Sequence, residues 1–381
     1  MAIELEGKRE TRRRHKIDFV HTGPGTLAGR YMRTFWHPVH RSEDLPTGYA
    51  KPVRILGQDF TLYRDEQGVA HAIGFRCSHR GAQLSVGYIE GNCIRCFYHG
   101  WVFDPKGECV ERPAEKLPPT PSLNIAGYPT QEYLGLIFVY LGEGEPRPLW
   151  RFKAMEREGI RDVTVDTMPA NYFFSLENSA LHFNYVHRDL MDEKQISGIP
   201  EVRAEETPFG LTSYFRWPNQ TSETVSHKIM PNCGYIVPLA VNRAKGVSHS
   251  IHVSFRVPID DASHTTFRVT LIPVTGEEKQ KILERRSKTF DDRSGISELA
   301  DAVLAGKMRL QDIKDRTHIE FIQDYVAQVS QGPVETRDDE HLASSDVEEA
   351  LFRRIWRREL TALADGKPLT PWRLTDELEP K

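Results

Sequence analysis

The sequence predicts an α+β fold in two parts: a small antiparallel β domain, then a larger domain whose antiparallel sheet is wrapped on helices. Three observations carry that expectation. Short β-type runs separated by Gly, Pro and Asp turns fill the first third of the chain. The stretch Gly142-Glu143-Gly144-Glu145-Pro146-Arg147-Pro148 then interrupts the pattern, and beyond it strands give way to helices. We therefore expect an arm over residues 1–35 that packs on the larger domain, a small β domain over 36–148 and the larger domain over 149–381.

A chain of 381 residues is long enough for two cores. Its formal net charge of −4 excludes a general nucleic-acid binder, which needs a basic surplus. Five cysteines, Cys77, Cys93, Cys96, Cys109 and Cys233, form no even framework and fit a reducing compartment, so a cytoplasmic location is expected. No apolar run is long enough to cross a bilayer, and the polar amino terminus does not read as a leader. The run Arg12-Arg13-Arg14-His15-Lys16 reads as a solvated tail rather than a docking arm.

In order, Tyr31-Met32-Arg33-Thr34-Phe35-Trp36 is an aromatic anchor at the end of the arm. Val53-Arg54-Ile55-Leu56 and Phe60-Thr61-Leu62-Tyr63-Arg64 are strands, and Asp65-Glu66-Gln67-Gly68 and Asp104-Pro105-Lys106-Gly107 are turns. Leu136-Ile137-Phe138-Val139-Tyr140-Leu141 is apolar throughout and predicts the buried closing strand of the small domain. Residues 171–187 read as helical. Residues 233–241 and 249–257 read as strands, the second with Ser250, His252, Ser254 and Arg256 on one face and Ile251, Val253, Phe255 and Val257 on the other. The sheet continues through Phe267 to Pro273. Helices follow, one from Glu320 to Gln331 and a last one opened by a capping box, Ser345-x-x-Glu348, with Leu351, Ile355 and Leu360 inward and Gly366 past its end.

The chemistry starts at Cys77-x-His79, followed after sixteen residues by Cys96-x-x-His99. Two thiolates and two imidazoles, paired Cys with His on neighbouring loops, suit a Rieske [2Fe–2S] centre, in which Cys77 and Cys96 hold one iron and His79 and His99 the other. Structural zinc also accepts Cys2His2, but zinc sites group like with like and space each pair more widely. Gly81 and Gly100 let both loops turn, and Trp101 places an aromatic ring beside the second pair. A cluster that carries electrons needs an acceptor, and His182-x4-His187 is the candidate. On a regular helix that spacing turns the two rings roughly 140° apart, so they converge only if the helix bends or widens. Two histidines and one carboxylate make the facial triad of non-haem Fe(II) oxygenases. Asp324, in the otherwise apolar Phe321-Ile322-Gln323-Asp324-Tyr325-Val326, is the expected third ligand.

Together, Arg76-Cys77-Ser78-His79-Arg80-Gly81-Ala82, Cys96 through Asp104, Leu176-Glu177-Asn178 with Tyr185-Val186-His187, and Gln323-Asp324 through Gly332-Pro333 resemble the catalytic α subunits of Rieske non-haem iron oxygenases, in particular their phthalate-dioxygenase-like branch. The resemblance implies a helix-grip catalytic domain, two cofactors (a [2Fe–2S] cluster and a mononuclear Fe(II)), a flavin/iron–sulfur reductase or ferredoxin as electron donor, and a homotrimer or stacked trimers. The reaction it implies is hydroxylation, dealkylation or dihydroxylation of a small aromatic substrate with O2, aromatic acids being the default class. It also implies an acidic residue three positions before the first iron-binding histidine, linking it to a neighbouring subunit's cluster. Ser179 stands there, so Glu177, or Asn178, is expected to take that catalytic role. Asn232, Arg243 and His252 are candidates to face the substrate, Arg243 as a carboxylate partner. The alternatives are a Rieske electron-transfer protein and a zinc-stabilised binding protein, neither of which accounts for both ligand sets.

Overall fold

The computed structural model describes residues 17–179, 181–182, 185–187, 198–219, 223–236, 250–286, 295–375 and Leu378. The basic run at 12–16, Arg243 and the distal part of the strand expected over 233–241 lie outside the described residues.

The arm carries a short helix, α1 (Leu27–Met32), capped by the Thr26 hydroxyl, which accepts from the Gly29 N–H. The small domain follows. Strand β1 (Trp36–Arg41) pairs with β11 (Leu136–Tyr140), which pairs with β10 (Thr130–Tyr133). A second sheet runs β2 (Ala50–Ile55), β3 (Gln58–Arg64), β4 (Ala70–Gly74) and β9 (Gly127–Tyr128). A third runs β5 (Tyr88–Glu90), β6 (Cys93–Arg95), β7 (Val102–Phe103) and β8 (Cys109–Glu111). As its apolar run foretold, β11 is buried throughout.

The larger domain is built on a seven-stranded antiparallel sheet. Its spatial order is β12 (Ile160–Met168), β18 (His264–Ile272), β17 (Ile251–Pro258), β16 (Cys233–Ile236), β15 (Thr224–Ile229), β14 (Gly210–Arg216) and β13 (Glu201–Thr207). Helices α2 (Tyr172–Leu176), α3 (Gly276–Arg286), α4 (Ile296–Leu304), α5 (Ile319–Val329) and α6 (Val347–Ala364) accompany it. Alternation in β17 sorts the two faces of the sheet. Phe255 meets Phe138 of β11, with ring centroids 5.4 Å apart, so the small domain packs on the apolar face; Phe152 of the larger domain adds a ring at 6.4 Å. The polar face turns toward α5, where the Arg268 guanidinium lies 5.4 Å from the Phe321 ring.

Two hairpins show how the domains are tied. The two-residue loops Leu56-Gly57 and Leu134-Gly135 both have positive φ (51° and 69°, 53° and 79°), the mirror-type turn that matches strand twist. A leucine in that conformation costs about 1 kcal/mol. At Leu56 the cost is offset because its side chain is wholly buried, and because the Leu56 and Gly57 N–H groups donate across the domain boundary to Pro258 and Ile259 carbonyls at 2.8 and 2.9 Å. Residues of the arm contact the larger domain: Tyr31 meets Trp356 at 5.3 Å, its hydroxyl accepts from Trp372 Nε1 at 3.0 Å, and the Tyr172 hydroxyl donates to the Phe19 carbonyl at 2.7 Å.

Two elements depart from the sequence reading. The helix expected over 171–187 is only α2, started by the Asn171 side chain, which accepts from the Phe173 N–H. The helix ends at its C-cap, Glu177, and among the described residues beyond it the Tyr185 and Val186 N–H groups both bond to the His182 carbonyl. The capping box at α6 does not form. Asp346 is the N-cap residue, and Glu348 is buried against Lys228, at 2.7 Å from its Nζ, which is the stronger claim on an ionised group inside the protein. Leu351, Ile355 and Leu360 do face inward, and Gly366 follows the helix with φ 63°.

Glu349 sits beside that pair with Oε2 buried and no hydrogen-bond partner among the described residues. Burial, and then the neighbouring Glu348, push its carboxyl up to about 7 against the opposing pull of Lys228. An acid whose pKa is raised on folding costs stability as pH rises from its unfolded value, 4.5, to its folded one, about 7, and the loss is complete above that. Glu349→Gln should therefore gain on the wild type across that interval, by about 3 kcal/mol at most. Urea unfolding at a series of pH values reads this; a difference that does not grow with pH rejects the buried-acid assignment.

Candidate metal centres

The first centre is held by two loops of the same shape. Gly81 N–H bonds back to the Cys77 carbonyl at 2.9 Å, and Gly100 N–H to the Cys96 carbonyl at 3.0 Å. Both glycines adopt φ 75°, a conformation that L side chains rarely take, so the spacing from each cysteine to its glycine is a requirement of the turn. The cysteines are buried in an apolar cluster with Tyr63, Ile73, Leu84, Ile94, Trp101 and Phe103, whereas His79 and His99 are exposed. The imidazole rings are 4.6 Å apart edge to face, and His79 stacks on Trp101 at 4.7 Å. Burial, and then the adjacent Cys96, push the Cys77 thiol up to about 11. Soft ligands sheltered on one side and imidazoles at the surface on the other fit the ligand set of a Rieske [2Fe–2S] cluster. Phe97 and Tyr98, each 53% exposed, flank them.

The second centre converges because the helix does not continue. His182 and His187 lie with ring centroids 4.8 Å apart, and their Nε2 atoms stand 3.6 and 3.3 Å from Asp324 Oδ1. All three ligand atoms fall within 4.8 Å of one another. Asp324 is presented by α5. Next to it, Gln323 Oε1 meets His187 Nδ1 at 3.0 Å, which turns the opposite nitrogen toward the carboxylate. His182 Nδ1 is bonded to the Ser179 carbonyl in the same sense. The Asn178 amide donates to Asp324 Oδ1 at 3.3 Å.

The electrostatics agree with a cation site. Burial pushes the Asp324 pKa upward, but the His187 hydrogen bond and the charges of His182, His187 and Arg268 outweigh it and hold the group below the usual carboxylate range. Burial lowers His182, leaving it neutral and able to bind a metal. His187 is raised: Asp324 overcomes its burial penalty. Two imidazoles and a carboxylate with the remaining positions open are the donor set of non-haem Fe(II).

The expectation for Glu177 is corrected. Its carboxylate is almost fully buried and paired within the chain: Arg353 Nε and Nη2 donate to Oε1 and Oε2 at 2.5 and 2.8 Å, and Arg337 adds a further bond to Oε2. The carboxylate is thus committed to two guanidiniums of its own chain, and Glu177 fastens the end of α2 to α6. Its sequence neighbour Asn178 reaches the Asp324 carboxylate instead. Asn232 is also corrected. Its amide donates to the Arg256 carbonyl at 2.8 Å and approaches buried His37, on the small-domain side of the sheet. His252 faces the helices, its nitrogens bonded to Ser250 and Thr270 hydroxyls at 2.8 and 3.0 Å. Gln323, Arg337 and Arg353 carried no sequence signal: each meets its partner from more than a hundred residues away.

With this geometry in view, the comparisons with known proteins are specific. The family model for the Rieske [2Fe-2S] domain matches residues 35–128. The chain is similar along nearly its whole length to oxygenase subunits. It is 27% identical to the 5,5'-dehydrodivanillate O-demethylase oxygenase subunit of Sphingobium sp. (strain NBRC 103272 / SYK-6), covering 91% of this chain and 79% of that one. It is 25% identical to the phthalate 4,5-dioxygenase oxygenase subunit of Pseudomonas putida, covering 89% and 84%. The chain carries a Rieske [2Fe–2S] domain and is similar over nearly its whole length to oxygenase subunits of the Rieske type. Its fold matches that of the terminal oxygenase of carbazole 1,9a-dioxygenase from Novosphingobium sp. KA1, with TM-score 0.65 and 20% identity over 92% of this chain and 98% of the other. A Rieske oxygenase is an oxidoreductase with a [2Fe–2S] cluster and a mononuclear iron, so the readings as a pure electron carrier or a zinc-stabilised binder fall away. No helix among the described residues is long and apolar enough to cross a membrane.

Removing Glu177 leaves the Arg337 and Arg353 guanidiniums with Glu340 as their carboxylate partner, at 3.4 and 2.8 Å. Glu177→Ala should therefore cost about 1.5–3 kcal/mol in urea unfolding, the worth of a hydrogen bond to a charged group, while the visible spectrum of the cluster stays unchanged. A variant as stable as the wild type rejects the clamp. Asn178→Ala should leave stability nearly unaltered and weaken iron affinity by about tenfold to a hundredfold, read by metal analysis after dialysis against chelator. Undiminished iron retention would show that the amide does not brace Asp324.

Proposed function

We propose that the chain is the terminal oxygenase component of a multicomponent system that hydroxylates, dealkylates or dihydroxylates a small aromatic substrate in the cytoplasm. Residues 36–148 serve as the cluster domain and 149–381 as the catalytic domain. A separate flavin/iron–sulfur reductase or ferredoxin supplies the electrons. The reading rests on one observation: His182, His187 and Asp324 converge in a chain that also presents Cys77, His79, Cys96 and His99 on paired loops.

On this reading Cys77 and Cys96 hold one iron of the cluster and His79 and His99 the other, while His182, His187 and Asp324 hold the mononuclear iron. When bound, the two centres together supply reductive activation of O2. The side chains do the positioning. Gln323 and the Ser179 carbonyl orient the two imidazoles, Asn178 steadies the carboxylate, and burial between sheet and helices limits water around the site. The exposed His79 and His99, with Phe97 and Tyr98 beside them, offer a face where another protein can pass an electron. A homotrimer or stacked trimers, each cluster facing a neighbour's His182–Asp324 site, would use the same face.

His182→Ala, His187→Ala and Asp324→Ala should each lose substrate-dependent O2 uptake by two orders of magnitude or more, while the red-brown cluster spectrum and its reduction by the partner reductase survive. Turnover retained in Asp324→Ala, with iron still bound, would move the third ligand elsewhere. Analytical ultracentrifugation tests the assembly: a fully active monomer removes the ring.

A further inference from the structure

Beyond the second loop of the first centre, the chain turns back onto it. Strand β8 ends at Glu111, and the next two residues rest on the loop. Pro113 packs on Gly100, where an added Cβ would come within 3.1 Å of the Pro113 Cγ, and the Arg112 guanidinium lies 5.5 Å from the Trp101 ring. The same indole stacks on His79, with ring centroids 4.7 Å apart and planes 6° from parallel. Guanidinium, indole and imidazole thus form a continuous series of contacts that starts at Arg112 and ends on an imidazole assigned to the cluster.

Two arginines serve this loop, and they differ in what answers their charge. Arg95 donates to the Gly100 carbonyl at 2.8 Å and is met by Glu90 and Glu111 at 2.7 and 2.9 Å. Arg112 forms no ion pair with a carboxylate among the described residues. Its Nη2 donates to the Leu117 and Pro118 carbonyls at 2.6 and 3.0 Å, and its Nε is buried without a hydrogen bond. The charge reaches the apolar cluster that holds Cys77 and Cys96: burial pushes up the thiol of Cys109, a member of that cluster, and Arg112 pulls it back down. The other imidazole has a similar series, with His99 at 3.7 Å from Tyr98 and Arg80 at 5.9 Å from the same ring. Tyr98 is 53% exposed and Trp101 only 7%, so water screens the Arg80 series far more than the Arg112 one.

We infer that the Arg112 guanidinium, seated on Trp101 and through it on His79, raises the reduction potential of the Rieske cluster and so favours its reduction by the electron donor. Arg112 is on this account a positioning residue, because it acts through Trp101. The inference rests on the assignment of Cys77, His79, Cys96 and His99 to the cluster. A fixed cation stabilises negative charge added nearby, and more strongly where an indole rather than water fills the space between. One electron added to a [2Fe–2S] centre is such a charge, and local charge and solvent exposure are among the quantities that set its potential. Arginine suits the position better than lysine, since a planar guanidinium can lie on an aromatic ring while it binds two carbonyls.

Anaerobic potentiometric titration of the holoenzyme, followed by the visible and EPR spectra of the cluster, tests this without turnover. Arg112→Gln should lower the equilibrium constant for one-electron reduction by about threefold to tenfold, a fall of about 30–60 mV. Arg112→Lys, which keeps the charge, should recover at least about half of that shift. In a Trp101→Phe background, where the smaller ring loosens the stack, Arg112→Gln should move the potential by less than it does beside Trp101. A wild-type potential in Arg112→Gln overturns the inference, as does a fall in Arg112→Lys equal to that in Arg112→Gln, or an effect of the same size with Trp101 and with phenylalanine in its place. Urea unfolding separates the charge from the bonds to Leu117 and Pro118: lost stability with an unmoved potential makes Arg112 only a brace of its own loop, and the inference fails. A wild-type protein without the spectrum of a Rieske cluster would overturn the ligand assignment as well, whereas a normal spectrum with an unmoved potential overturns the inference alone.

Discussion

The Asp324 carboxylate is the group on which the arrangement of the catalytic domain turns. It is largely desolvated, a position that ordinarily favours the neutral acid, yet the His187 hydrogen bond and the nearby charges of His182, His187 and Arg268 keep it ionised. Each of those partners arrives on a different element. The histidines come from the irregular chain after α2, Arg268 from β18, and Asp324 itself from α5. An ionised group in such a place can persist only if all three elements are held together, and the structure provides the ties. Gln323 and Asn178 act directly on the ligand set, and the Glu177–Arg337–Arg353 clamp fastens the end of α2 to α6 just upstream of it.

The sheet divides the labour between its faces. Its apolar side meets the small domain, through Phe255 against Phe138 and through the backbone bonds at Leu56 and Gly57. That leaves the other side free to be polar, which an internal face of a sheet rarely is unless something polar is to be met there. Arg256, Arg268 and His252 occupy that side and look toward the helix that carries Asp324. The cluster domain follows the same division at smaller scale: thiols in the apolar core, imidazoles at the surface.

Much of this was legible in the residues. The mixed Cys/His pairs and the glycines behind them determine the loop shape by themselves, because a turn with φ near 75° four residues past each cysteine needs glycine whatever surrounds it. Strict alternation in β17 already separated the polar strip containing His252 and Arg256 from its apolar back. A carboxylate embedded in an apolar helical segment, Asp324, announced that it had a partner.

What the residues could not announce depended on partners far away in the chain. Local propensity over 171–187 reads as helix, but pairing of His182 and His187 with Asp324 requires the chain to leave the helix after Glu177, and that competition is settled only across α5. Glu177 reads as a free carboxylate until Arg337 and Arg353 are placed beside it, and Glu348 reads as a capping residue until Lys228 is. In each case the charge of one side chain was visible in the sequence. Which opposite charge it would meet was decided by tertiary packing, because a desolvated ion takes the best buried partner the fold brings within reach rather than the nearest one along the chain.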